Sequence, residues 1–241
     1  MKELLIKKNK MWLGTVHFAG IYEDTFSSDD VKNTINYCME LGLDKIDTAE
    51  CYGIDGLIEK NIGEALHGKR EKFTVSTKFG HIHNSTGIKI KDFSLNGVKK
   101  QLENSLKNLK SEYLDIYYFH SGSNNEFDND DLWLYLNTMK DRGIINELGL
   151  SLNHQNVIDE DHYQLELAGK FGITVVQTLF NLYSRVALNH VIPFCKKNHI
   201  SILGRSPIAK GLLSGKYNAS SKFSISDERS KFKRENESIL S

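Results

Sequence analysis

Short runs of β-branched or apolar residues, each followed by a longer stretch with one apolar face, alternate along this chain. The strand-like runs cover residues 11–15, 45–48, 73–77, 114–119, 146–151, 174–178 and 201–204. Between them, residues 28–41, 57–66, 95–109, 130–142, 160–171 and 187–198 carry the spacing of amphipathic helices. Helix punctuation agrees with this division. Ser28 is followed by two acids in the first turn, and Gly42, Gly143 and Gly172 stand where the first, fourth and fifth helices should stop. A strand-to-strand spacing of about 30 residues leaves room for a helical crossover, so the pattern predicts a parallel sheet with helices outside it.

A closed barrel and an open, doubly wound sheet both satisfy that alternation. An open sheet gathers its chemistry at one switch point, and a dinucleotide site there follows a glycine-rich turn after the first strand. The first strand here leads into Gly14-Thr15-Val16-His17-Phe18-Ala19-Gly20, which lacks that fingerprint. Polar groups follow strand after strand instead, as they do at the C-terminal mouth of a barrel. Three segments stand out: Asp47-Thr48-Ala49-Glu50-Cys51-Tyr52-Gly53, then Ser76-Thr77-Lys78, then Tyr118-Phe119-His120. They place an acid, a phenol, an ammonium and an imidazole at successive strand ends. In reduction of a carbonyl, Tyr52 can donate the proton and Lys78 can lower that phenol's pKa by favouring phenolate. Asp47 can hold the lysine charged, and His120 can offer a donor where negative charge builds on the oxygen. Each residue also has a structural reading: a turn cap, a packed ring, a snorkelling lysine, a core histidine.

Composition narrows the partner. Lys+Arg 31 balance Asp+Glu 31, so no net field favours nucleic acid or an anionic membrane over a small molecule. The 241 residues, 39% of them hydrophobic, suffice for one domain spanning residues 1–241. No run reaches the roughly 18 apolar residues of a spanning helix, and the start Met1-Lys2-Glu3 lacks the apolar core of a secretion signal. Cys38, Cys51 and Cys195 are too few and too dispersed for a disulfide framework or metal-ligand spacing. Together these features predict a cytoplasmic protein.

In their order along the chain the motifs resemble the aldo/keto reductase family. The resemblance is carried by Leu13-Gly14-Thr15, Asp47-Thr48-Ala49 with Tyr52-Gly53, Ile62-Gly63-Glu64-Ala65-Leu66, Thr77-Lys78 and Ser105-Leu106. It continues through His120, Gly143-Ile144, Gly149-Leu150-Ser151, Gln177, Asn181-Leu182 and the run Arg205-Ser206-Pro207-Ile208-Ala209-Lys210-Gly211-Leu212-Leu213. It implies a (β/α)8 TIM barrel that binds NADP(H), ahead of NAD(H), across its mouth and passes hydride to a small aldehyde or ketone. In that frame Gly14, Thr15 and Val16 lie near the nicotinamide ribose. Ser151, Asn153 and Gln177 meet the carboxamide, and Arg205 covers the nicotinamide face where many relatives stack an aromatic ring. Ser206, Ile208 and Gly211 form a loop whose backbone donors meet the pyrophosphate.

The chain departs from the family where a typical relative continues past the position of Ser241 with an eighth strand. Three expectations follow: a fragment of a longer protein, a homologue truncated before the eighth strand that has lost cofactor affinity, or a chain that completes its barrel with another chain, a homo-oligomer being one form of this. The resemblance therefore leaves a second reading, a non-catalytic or regulatory protein on the same scaffold. Among weaker signals, His81-Ile82-His83 has metal-site spacing without a further ligand set, and reads as a polar loop at the mouth. Lys78 as a Schiff-base nucleophile is disfavoured by Asp47, which keeps it charged. Residues 123–131 read as a solvated loop, and residues 214–234 as a mobile loop over the cofactor.

Overall fold

In the computed structural model, residues 10–230 are described apart from 23, 219 and 226. Among the described residues nine strands form: β1 (Leu13–Gly14), β2 (Lys45–Asp47), β3 (Thr74–Phe79), β4 (His81–His83), β5 (Lys89–Lys91), β6 (Leu114–His120), β7 (Ile145–Ser151), β8 (Ile173–Leu179) and β9 (Ser201–Arg205). Seven of them make one parallel sheet in the order β1-β2-β3-β6-β7-β8-β9, and β4 and β5 make a separate antiparallel hairpin. The helices are α1 (Ser28–Glu40), α2 (Leu57–Ala65), α3 (Leu95–Asn108), α4 (Asn124–Phe127), α5 (Asp130–Asp141), α6 (His154–Ile158), α7 (Tyr163–Glu166) and α8 (Val191–Lys197).

The sheet curls. In a flat sheet β2 and β8, four places apart, would stand about 19 Å from each other. Yet the Gln177 side chain on β8 donates to Asp47 Oδ1 on β2 at 3.1 Å. Trp12, just before β1, packs on a small interior cluster of Ile116, Tyr118 and Val175 from β6 and β8. The larger core lies outside, where Ile46, Val75, Phe79, Phe119, Leu150 and Val176 meet the inner faces of α1, α2, α3 and α5. Strand alternation assigns the two layers: Val75, Thr77 and Phe79 face the helices, and Ser76 and Lys78 face the axis. The result is the predicted α/β barrel, seven-stranded and nearly closed, with no β1–β9 pairing among the described residues.

The long elements match expectation, and the short ones do not. Gly42, Gly143 and Gly172 adopt the left-handed conformation expected at helix ends. The cap of α1 is Ser27 rather than Ser28, closing a capping box with Asp30. The helix predicted over 160–171 contracts to α7, with α6 before it. The one predicted over 187–198 divides into a 3-10 turn (Val186–Leu188) and α8. Residues 123–131 are not simply a loop, because Ser123 and Glu126 form a capping box that nucleates α4. His81–His83 is a strand, not a loop, since it finds a partner in β5. Within residues 214–234, the Arg229 guanidinium binds Asp227 at 2.9 Å and stacks on Tyr22, Tyr217 and Phe223. That part of the loop is thereby tied to the segment after β1. Met1-Lys2-Glu3 and residues 231–234 lie outside the described residues.

Candidate active site at the barrel mouth

Parallel register carries the polar positions to one rim. Gly14 pairs with Asp47 and Asp47 with Ser76, while His120, Ser151 and Gln177 follow one another across β6, β7 and β8. Arg205 ends β9 opposite Leu179. Tyr52 belongs to no strand; the turn after β2 presents it, closed by a hydrogen bond from Tyr52 N to Ala49 O at 3.0 Å.

The four candidate catalytic residues meet here. Lys78 is 1% exposed, and its Nζ donates to Asp47 Oδ1 at 3.0 Å, Asp47 Oδ2 at 2.9 Å and Thr48 O at 2.6 Å. It also reaches Tyr52 OH at 3.5 Å and stands 5.1 Å from the centre of that ring. His120 meets Tyr52 edge to face with ring centres 6.3 Å apart. Asp47 accepts from two further groups, Ser76 Oγ at 2.7 Å and Gln177 Nε2 at 3.1 Å. Ser151 Oγ in turn donates to Gln177 Oε1 at 3.1 Å. A continuous hydrogen-bonded path thus runs from Ser151 through Gln177, Asp47 and Lys78 to Tyr52.

Electrostatics correct one expectation. Burial pushes the Tyr52 phenol above its ordinary pKa, against the pull of Lys78, so the net direction is up and not down. The ammonium spends its charge mainly on Asp47, which itself opposes a phenolate. Tyr52 therefore keeps its proton at neutral pH. Burial also works against the Lys78 ammonium, but Asp47 and Tyr52 outweigh it and raise its pKa. Burial first, then the charge of Lys78, drives His120 well below the usual histidine range, so it is neutral. The Cys51 thiol, raised by burial, stays protonated 3.8 Å from His120 Nδ1. That neighbour favours Nδ1 as acceptor and leaves Nε2–H as the donor.

A cavity of about 1080 Å³ opens beside these groups, bounded by Asp47, Tyr52, Gln177 and Arg205, the segment 14–16 and the loop after β9. Gly14, Thr15, Val16 and Ser206 line it; Lys78 and Ser151 are buried, and the half-buried His120 borders the cavity through its edge contact with Tyr52. Asn153, Ile208 and Gly211 are not brought together with them. Asn153 caps α6 by accepting from Gln155 N at 3.0 Å, Ile208 is exposed, and the Gly211 amide is already bonded to Ile208 O at 2.9 Å. Sequence reasoning missed Ser76, legible as the axial residue two before Lys78. It placed His81 and His83 at the mouth without a role, though the His81 ring lies edge-on to His120 at 5.0 Å and His83 lines the cavity, and it missed Lys89 beside them. The hairpin that carries those three interrupts the alternation and leaves no periodic signal.

The aldo/keto reductase family model matches residues 10–239. The chain is 34% identical over 174 residues to the methylglyoxal reductase YeaE of Escherichia coli, covering 71% of this chain and 55% of that protein. It is 29% identical over 220 residues to the aldo-keto reductase yakc [NADP(+)] of Schizosaccharomyces pombe, covering 86% and 61%. Its fold is similar to that of the glycerol dehydrogenase AKR11B4 from Gluconobacter oxydans, with a TM-score of 0.76 and 27% identity over 92% of this chain and 67% of that one. The chain belongs to the aldo/keto reductase family. It spans between 55% and 67% of the length of curated relatives that it matches.

The residues at the mouth fit a nicotinamide cofactor on three observations. A Cβ built on Gly14 meets nothing within 4 Å, so open space lies against the backbone there. Gln177 lines the cavity with a buried carboxamide, and its Nε2 keeps a second N–H beyond the one given to Asp47. Arg205 lines it with a guanidinium that makes no hydrogen bond or ion pair among the described residues.

Proposed function

We propose that this chain is the catalytic part of an NAD(P)H-dependent oxidoreductase that reduces the carbonyl of a small aldehyde or ketone to an alcohol. Supporting this most directly is the convergence of Asp47, Tyr52, Lys78 and His120 on one edge of a large cavity. A bound nicotinamide supplies the hydride. Tyr52 holds the proton at its hydroxyl and gives it to the carbonyl oxygen. Lys78, kept charged by Asp47, stabilises the phenolate left behind. His120, neutral, offers Nε2–H to the same oxygen before and during the transfer of charge, as a preorganised donor does. Ser151, Gln177 and Asp47 hold Lys78 in register with Tyr52. Gly14, Thr15, Val16, Gln177, Arg205 and Ser206 are the cofactor contacts, and NADP(H) stands ahead of NAD(H), in keeping with the NADP(+) in the name of the fission-yeast relative.

The test is a titration of NADPH followed by its fluorescence, together with turnover of methylglyoxal and glyceraldehyde, for wild type and Tyr52→Phe. Both proteins should bind the cofactor saturably, and the variant should lose turnover by about a hundredfold or more. Equal turnover would remove Tyr52 from the mechanism. No NADPH binding by either protein would leave the non-catalytic reading of the scaffold.

A further inference from the structure

The cavity wall carries more positive charge than it neutralises. Its described lining contributes Lys10, Lys89, Arg205 and Lys210 against Asp47 and Glu228. Both carboxylates have partners: Glu228 pairs with Lys210 at 2.8 Å, and Asp47 with Lys78, which lies behind the wall. Among the described residues, Lys10, Lys89 and Arg205 are left without a counter-ion. The chain as a whole is neutral, so this is a local excess and not an overall basic character.

Lys89 is set at the catalytic end of the cavity by the β4–β5 hairpin. In that hairpin His83 pairs with Lys89 and His81 with Lys91, so all four side chains share one face while Ile82 and Ile90 share the other. His81 rests on His120, and His83 and Lys89 line the cavity. Lys91 is paired with Glu126 at 3.7 Å, whereas Lys89 has no carboxylate partner among the described residues. The charge of Lys89 bears on Cys51, His81 and His120, and that of Arg205 also bears on His120. Lys89, without a counter-ion among the described residues, is thus carried by the same hairpin face as His81, which rests on the imidazole that would face the carbonyl. Such a cation, exposed on the cavity wall, favours an anionic ligand.

We propose that Lys89, with His83 paired beside it on the same hairpin face, forms an anion subsite, and that the substrate is an aldehyde or ketone bearing a carboxylate or phosphate close to its carbonyl. The subsite rests on the carbonyl-reductase reading of the same cavity and gives it a substrate class. The acidic group docks on Lys89 while the carbonyl meets Tyr52 and His120.

Two matched pairs test it: glyceraldehyde 3-phosphate against glyceraldehyde, and glyoxylate against glycolaldehyde. Binding is read from the fluorescence of Trp12, which lines the cavity, and kcat/KM is measured with NADPH. At least one acidic probe should be preferred over its neutral partner by about tenfold or more, with the preference fading as salt rises. Lys89→Gln should collapse the ratio toward unity, Lys89→Arg should keep most of it, and Lys91→Gln should leave it in place. The better pair identifies the acidic group. Ratios near unity for both pairs, or a preference that survives Lys89→Gln, overturn the subsite even if neutral carbonyls are reduced. Preferential binding lost in Lys89→Gln without any turnover sustains the subsite and overturns the reductase reading.

Discussion

Glu50 lies two residues before Tyr52 but behind the cavity wall, and it tests how burial governs this region. It is 8% exposed; Asn104 donates to its Oε1 at 3.0 Å, and its Oε2 has no partner. Burial above all pushes its pKa from 4.5 to about 7, only partly opposed by Asn104. A displacement of that size corresponds to roughly 3 kcal/mol. Because the folded-state value is the higher one, folding favours the protonated acid. That stability is fully present below the unfolded pKa and is lost as pH climbs through about 5 to 7. Glu50→Gln retains an acceptor for Asn104 and cannot ionise. The amide it places at the partnerless position carries a penalty that is the same at every pH. Urea unfolding of both proteins at pH 5 and pH 8.5 isolates the titration. Relative to the variant, wild type should lose about 2–3 kcal/mol between the two conditions. A gap that stays constant with pH would refute the assignment of a destabilised carboxylate to this site.

Two further outcomes follow from the barrel interior and the site. A Cβ on Gly149 would stand 2.2 Å from the ring of Tyr118, which is fully buried. Gly149→Ala should therefore cost about 1–3 kcal/mol through overpacking, and an unchanged melting temperature would mean the ring has room to move. Asp47→Asn leaves the Lys78 ammonium 1% exposed beside a neutral amide, so burial, which Asp47 now overrides, should carry its pKa downward. The alkaline limb of the pH profile of kcat/KM should move to lower pH and the rate should fall by about a hundredfold or more, whereas an unmoved limb would detach Asp47 from Lys78 in the mechanism.

Much of the barrel was legible because its long elements repeat one pattern. β3, β6, β7 and β8 are apolar on their outer faces, and α3 and α5 carry their own caps, so local signals and packing agree. The departures fall where tertiary contacts decide. β1 is two residues long because only Leu13 and Gly14 find partners on β2. The stretch after β7 breaks into α6 and α7 because Asn153 starts a new helical turn and Glu160 sits at positive φ. The Asp47, Tyr52, Lys78 and His120 set was readable from residue type and strand ends. What escaped were properties of distance and burial: the share of Lys78 charge taken by Asp47, and a hairpin whose register turns His81, His83 and Lys89 toward the site.

One carboxylate ties these observations together. Asp47 Oδ1 accepts from Ser76, Lys78 and Gln177, and Oδ2 accepts from Lys78. Those donors come from β3 and β8, on opposite sides of the curled sheet, so the position of the Lys78 ammonium depends on how far the barrel closes. A flatter sheet would withdraw Gln177 and remove one of the restraints on Asp47. The ammonium would keep its salt bridge, but its distance to the Tyr52 hydroxyl, now 3.5 Å, would no longer be set by the fold. Sheet curvature, rather than the presence of four polar residues, is what brings the Tyr52 hydroxyl, the Lys78 ammonium and the neutral His120 imidazole to one rim.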